Sequence, residues 1–154
     1  GDYSGYSVAL SGDGATLAVG AYGNDAAGIV AGQVRVFWWN GTAAVWDQRG
    51  ADIYGEAAWD YSGRSVALSS DGATLAVGAI ENDGAGSSAG HVRVFAWNAA
   101  VWVQRGADID GEAAMDYSGG SVALSSDGAT LAVGANGNDA AGYNAGHVRV
   151  FLWA

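Results

Sequence analysis

Short runs in which apolar residues alternate with small or polar ones fill the chain. Glycine separates them, and none shows a helical period. Ser7-Val8-Ala9-Leu10 predicts a first strand and Thr16-Leu17-Ala18-Val19 a second, with Asp13-Gly14 at the turn between them. Asp-Gly between two alternating segments is a hairpin signal, because both central residues of a type I′ turn need positive φ. A Gly-rich connection over 20–32 leads to a third strand, Val34-Arg35-Val36-Phe37-Trp38-Trp39. A fourth follows at Val45-Trp46-Asp47-Gln48-Arg49, and residues 50–63 carry the chain onward.

This pattern then repeats. Asp2-Tyr3-Ser4-Gly5 returns as Asp60-Tyr61-Ser62-Gly63 and as Asp116-Tyr117-Ser118-Gly119, and Asp71-Gly72 and Asp127-Gly128 restore the turn. The chain is one repeat domain, 1–154, of units 2–59, 60–115 and 116–154, the last one truncated. The first unit is longer because Gly41-Thr42 is inserted after Asn40. Residues 60–98 and 116–154 differ at only eight positions, so one structure should serve both.

Residue size is graded across the strands of each unit. The first two strands put Val8, Leu10, Leu17 and Val19 on one face and the small Ser7, Ala9, Ala18 and Gly20 on the other. The third and fourth carry Phe37, Trp39 and Trp46, repeated as Phe95, Trp97 and Trp102. Propeller blades crowd together at the axis and diverge at the rim, so they need small residues inside and large ones outside. A sandwich with a uniform gap of about 10 Å needs no such gradient. The expectation is an all-β chain of four-stranded antiparallel blades, with 4+4+3 strands, or about 2.75 blades. A β-trefoil, which also takes about twelve strands in three units, is the alternative and predicts a closed monomer.

The run Tyr61-Ser62-Gly63-Arg64-Ser65-Val66-Ala67-Leu68, then Asp71-Gly72, Leu75-Ala76-Val77-Gly78-Ala79 and Gly90-His91-Val92-Arg93-Val94-Phe95, resembles the FG-GAP repeat. That repeat is the blade of integrin-α-type propellers, and the resemblance implies an extracellular or cell-surface, adhesion-type setting. The calcium loop D-x-D-x-D-G that such blades often carry is not matched. Ser69-Ser70-Asp71-Gly72-Ala73 is too short and has one carboxylate, so it cannot supply the six to eight oxygens calcium takes.

Composition narrows the partners. Six Arg, no Lys and sixteen acids give a net charge of −10, which excludes nucleic acid and favours cations or cationic protein surfaces. No apolar run is long enough to insert in a membrane, and zero Cys excludes disulfides and thiolate metal sites. The missing initiating Met implies a stretch of a longer or processed protein. Blade connectivity gathers twelve of the acids on one face. The densest group, Asp108, Asp110, Glu112 and Asp116, offers a candidate calcium site. Equally, Asp, Asn and Gly are turn formers whose side chains bond nearby backbone. The same two readings apply to the candidate ligand or partner face of Asn24, Asp25, Asn82, Asp83, Asn138 and Asp139. Arg35, Arg93 and Arg149, inside strand three, call for carboxylate partners.

No nucleophile–base constellation stands out, and the reading is non-enzymatic. Gly5-Tyr6-Ser7-Val8-Ala9 only mimics a nucleophile elbow, and His91 and His147 recur at equivalent strand edges, with Gln33 in the first unit. Asn40-Gly41-Thr42 is an N-glycosylation sequon for a eukaryotic secretory route. The repeated Trp positions predict packing, with Trp38 exposed. The expected function is a structural or interaction module. Its open blade faces, and an assembly edge at Val148, Val150, Phe151 and Trp153, would join other copies head-to-tail, in a ring or filament, or the rest of a longer parent chain. A carbohydrate-binding lectin, with glycans as partners, is the rival.

Overall fold

The computed structural model describes residues 1–153, which contain thirteen strands and no helix. Blade one comprises β1 (Ser7–Leu10), β2 (Thr16–Ala21), β3 (Gln33–Asn40), β4 (Val45–Gln48) and β5 (Ile53–Tyr54). Blade two comprises β6 (Ser62–Leu68), β7 (Thr74–Ala79), β8 (His91–Trp97), β9 (Trp102–Gln104) and β10 (Ile109–Asp110). Blade three has β11 (Ser118–Leu124), β12 (Thr130–Ala135) and β13 (His147–Leu152).

Every pairing between named strands is antiparallel, and the registers repeat: Val8↔Val19, Val66↔Val77 and Val122↔Val133 are equivalent pairs. The fourth strand is a broken one. β4 pairs with Phe37–Asn40 and β5 with Gln33–Val34 of the same β3, while Arg49 N–H donates to the Val36 carbonyl between them. Gly50, at φ +82°, turns the chain at the break. The architecture is therefore the 4+4+3 set of propeller-type blades. The three sheets stack in chain order without closing a ring, which removes the trefoil alternative.

The hairpin turn differs from expectation. Only Gly14 has positive φ (70°), and Gly14 N–H donates to the Ser11 carbonyl, so Ser11 to Ala15 form a longer loop than a type I′ pair. The Asp13 carboxylate is the reason. It accepts from Ser11 Oγ (2.6 Å) and Ala15 N–H (2.9 Å), and Ser11 Oγ in turn accepts from Thr16 N–H. Asp71 and Asp127 rebuild this loop in the other blades.

Two junctions form the core, and they are alike. Ala18, Val34, Val36 and Ile53 of blade one meet Val66, Leu75, Val77 and Phe95 of blade two. Ala67, Ala76, Val92 and Val94 of blade two meet Leu131 and Val133 of blade three, with Val122, Leu124 and Phe151 packed beside them. The small face of each blade thus receives the large face of the next. Backbone contacts join them too: Ser7 Oγ donates to the Gly63 carbonyl and Ser65 Oγ to that of Gly119, each at 2.7 Å. At the turns, Gly12 N–H donates to the Ser70 carbonyl and Ser70 N–H to that of Ser126.

Candidate functional site

The expected calcium group does not assemble, because the chain crosses from blade two to blade three between its members. Asp108 and Asp110 remain at the first junction, beside His91 and Glu56, while Glu112 and Asp116 belong to the second, beside His147. Asp116 is buried, and its Oδ2 accepts from the backbone of Glu112 and Ala113 and from Asn138 Nδ2. Asp60 holds the same loop in the preceding blade through Glu56 and Ala57 N–H. These two aspartates are turn builders.

The loop between second and third strands is built in one way three times. Asn24, Asn82 and Asn138 accept through Oδ1 from the backbone two residues on. Asp25, Asp83 and Asp139 accept through Oδ1 from Val30, Ser88 and Asn144 N–H. The candidate ligand face therefore spends its side-chain oxygens on local backbone, as Asx turns do.

His91 lies on β8, 1% exposed, with its Nδ1 4.0 Å from Glu56 Oε2, 3.9 Å from Asp108 Oδ2 and 4.0 Å from Asp110 Oδ1. Burial, and then the Arg93 charge, pull its pKa below the ordinary 6.5, against the raising effect of the acids. The imidazole is therefore neutral at neutral pH. His147 Nδ1 is 3.5 Å from Glu112 Oε2, and its ring is 24% exposed.

The strand-three arginines find less carboxylate than expected. Arg93 Nη1 is 3.7 Å from Glu56 Oε1, but its Nη2 donates to the Tyr54 carbonyl. Arg149 reaches the Asp110 carbonyl in the same way. Arg35, Arg93 and Arg149 each lie over the aromatic ring two residues on, because alternate residues share a face.

A second set of arginines was not singled out in the sequence. Arg49 donates to Thr16 Oγ1 of its own blade and, across the first junction, to the Gly72 carbonyl, both at 3.1 Å. It stacks on Trp97 (4.9 Å) and Trp102 (5.8 Å), whose Nε1 donates back to the Arg49 carbonyl. Arg105 repeats this with the Gly128 carbonyl and Trp153. The signal lay in the repeated Gln-Arg-Gly of Gln48-Arg49-Gly50 and Gln104-Arg105-Gly106, next to the repeated Trp.

The expected assembly edge divides. Val148 and Val150 are exposed at 66% and 58%, whereas Phe151 and Trp153 turn inward against blade two. Trp38 is exposed as expected, and Trp39 and Trp46, tilted at 60° with ring centres 5.6 Å apart, are exposed with it on blade one. Asn40 is half-buried at the end of β3, and its Nδ2, the atom a glycan would occupy, donates to Asp47 Oδ2. Ser7 Oγ donates to the Gly63 carbonyl at the junction.

No curated protein sequence matches the chain. Among solved structures, a periplasmic gluconolactonase from Pseudomonas aeruginosa is similar, with 16% identity and a TM-score of 0.57. The match covers 96% of this chain and 39% of that one. At this identity the likeness shows the fold alone, yet it corrects one expectation. A chain of this architecture is named as an enzyme, so the lack of a recognisable catalytic motif does not make this chain non-enzymatic. The model of the FG-GAP repeat matches residues 1–37 and 55–95, about half of the sequence and the greater part of each of its two complete units. The chain belongs to the FG-GAP repeat family.

Proposed function

We propose that the chain is a structural and interaction module of an extracellular or cell-surface protein, whose open blade faces take further blades of its own kind. The preferred partner is a second copy, joined head-to-tail. The family membership supports the adhesion-type setting, and the exposed apolar faces support the contact.

The observation that carries this reading is the complementarity of the two open ends. Blade one presents Val8 and Leu10, 61% and 59% exposed, which are the counterparts of Val66 and Leu68 at the first junction. Blade three presents Val148 and Val150, the counterparts of Val34 and Val36. Each end is one half of the junction that the chain already makes twice. A contact of this kind is heterologous, and it closes into a ring or runs on as a filament according to its rotation. A neighbouring blade in a longer chain would use the same two faces.

Light scattering coupled to size exclusion at micromolar concentration is the test. A discrete multiple of 15.4 kDa, or a concentration-dependent series of multiples, supports the reading. A soluble, cooperatively folding monomer across the whole range overturns it.

A further inference from the structure

The buried imidazole of His91 and the carboxylates around it form an arrangement that local structure does not explain. The corresponding position of blade one shows what a self-sufficient version looks like. There Gln33 Nε2 donates directly to Asp52 Oδ2 at 2.5 Å, and Gln48 and Tyr54 complete the cluster by donating to the same carboxylate. In blade two, His91 replaces Gln33, Asp108 replaces Asp52, and Asp110 replaces Tyr54. The hydrogen bond is lost and the gap opens to 3.9 Å, while a further acid faces the ring. His91 Nε2 is buried without a partner, and Nδ1 has only these carboxylate oxygens, each beyond hydrogen-bond reach.

From this geometry we infer that His91 Nδ1, Glu56 and Asp108 bind a divalent first-row transition cation of the zinc class at the junction of blades one and two. One imidazole nitrogen and two carboxylate oxygens, with water in the fourth place, suit zinc, with bonds of about 2.0–2.2 Å and ligand edges of roughly 3.4 Å in a tetrahedron. Nδ1 lies 4.0 and 3.9 Å from the Glu56 and Asp108 oxygens, and the three ligand atoms lie within 4.8 Å of one another, so zinc must draw them together by up to roughly 1.4 Å. Calcium is disfavoured, because it takes oxygen ligands alone and a buried imidazole would occupy one of its positions. The charge also fits. Three carboxylates face one guanidinium, that of Arg93, which pairs with Glu56 Oε1 and leaves Oε2 for the metal. Gln104 Nε2 donates to Asp108 Oδ1 at 2.7 Å and so turns Oδ2 toward the ring, the support that metal ligands usually have. His147, Glu112 and Asp116 form the related group at the second junction, but there Asp116 Oδ2 already accepts three hydrogen bonds.

The site is complete within one chain, so it does not depend on assembly. It is tested by calorimetric titration of chelator-treated, tag-free protein with zinc chloride and separately with calcium chloride. The variants are His91→Gln, which restores the blade-one residue and should fold, Asp108→Asn, and His147→Gln as a control. Wild type and His147→Gln should bind zinc with equal affinity, and His91→Gln and Asp108→Asn at least tenfold more weakly. Cobalt(II) added in place of zinc should give a visible d–d band that His91→Gln loses. Zinc bound equally by wild type and His91→Gln, or no zinc bound by wild type, would overturn the site.

Discussion

Gly134→Ala should leave the fold of the chain intact and weaken its assembly. The same change one blade earlier, Gly78→Ala, should damage the fold itself. A Cβ on Gly78 would lie 2.1 Å from the Gly119 carbonyl oxygen of the next blade, and one on Gly20 would lie 2.1 Å from that of Gly63. Even weak C–H···O contacts keep carbon and oxygen about 3.3 Å apart, so the blades would have to separate by roughly 1 Å. Overpacking of that kind costs about 1–3 kcal/mol, and in a chain of this length each kcal/mol moves Tm by about 2–4 °C. Gly78→Ala should therefore melt about 2–12 °C below wild type. Gly134 occupies the equivalent place on blade three, but the three atoms nearest its Cβ would all belong to Ser121, the closest being Oγ at 2.3 Å. That hydroxyl can rotate, and a change of this kind at an open surface is worth about 0.5 kcal/mol or less. In a head-to-tail contact, Gly134 would face the Gly5 carbonyl of the next copy, as Gly78 faces that of Gly119. Scanning calorimetry at dilution and light scattering at high concentration separate the two effects. Gly134→Ala should keep the monomer Tm and weaken association at least tenfold, about 1.4 kcal/mol. The reasoning is refuted if Gly134→Ala lowers Tm as much as Gly78→Ala and still assembles like wild type.

Arg49→Met removes two hydrogen bonds and a stack on two indoles, so a loss of about 1–3 kcal/mol is expected by chemical denaturation. Arg105→Met, with one hydrogen bond and one indole, should lose less. Leu75→Ala, fully buried at the first junction, should cost about 3–5 kcal/mol. Leu17→Ala, its half-buried counterpart on the open face of blade one, should cost distinctly less in the monomer, and denaturant midpoints will rank them. The Asp13, Asp71 and Asp127 carboxyls are held below the ordinary 3.8, chiefly by the serine hydroxyl two residues before each. Their contribution is present above pH 3.8 and is lost as pH falls through the lower folded values. The triple Asp→Asn variant should therefore melt below wild type at pH 7, with the difference closing as pH falls below 3.8.

The strands and their faces were legible because period-two patterning was written three times. Val8 and Ala9, for example, fall on opposite faces, as their sizes predict. The turn was misread because Asp13-Gly14 suggests two positive φ values, while the Ser11 hydroxyl and Asp13 carboxylate favour a longer loop with one. The acidic group was misread because Asp108 and Asp116 are close in sequence yet separated by the crossing between blades. The residues that complete each cluster, Glu56 with His91 and Glu112 with His147, come from different blades. Arg49 was overlooked for the same reason, since both its hydrogen-bond acceptors lie more than twenty residues away. What sequence distance conceals is the register between neighbouring blades.

That register allows the most direct test of head-to-tail stacking. The chain has no cysteine, and a Cβ on Gly12 would lie 3.2 Å from Ser70 Cβ, near the separation of about 3.5–4.5 Å that a disulfide spans. Gly12→Cys with Ser70→Cys should close a bond within the chain and serve as the control. In Gly12→Cys with Ser126→Cys the only stacking partner is another copy. Mild oxidation should then give covalent dimers and higher multiples on a non-reducing gel, with no comparable yield from either single variant. Monomer alone, under conditions where the control pair closes, would contradict the account.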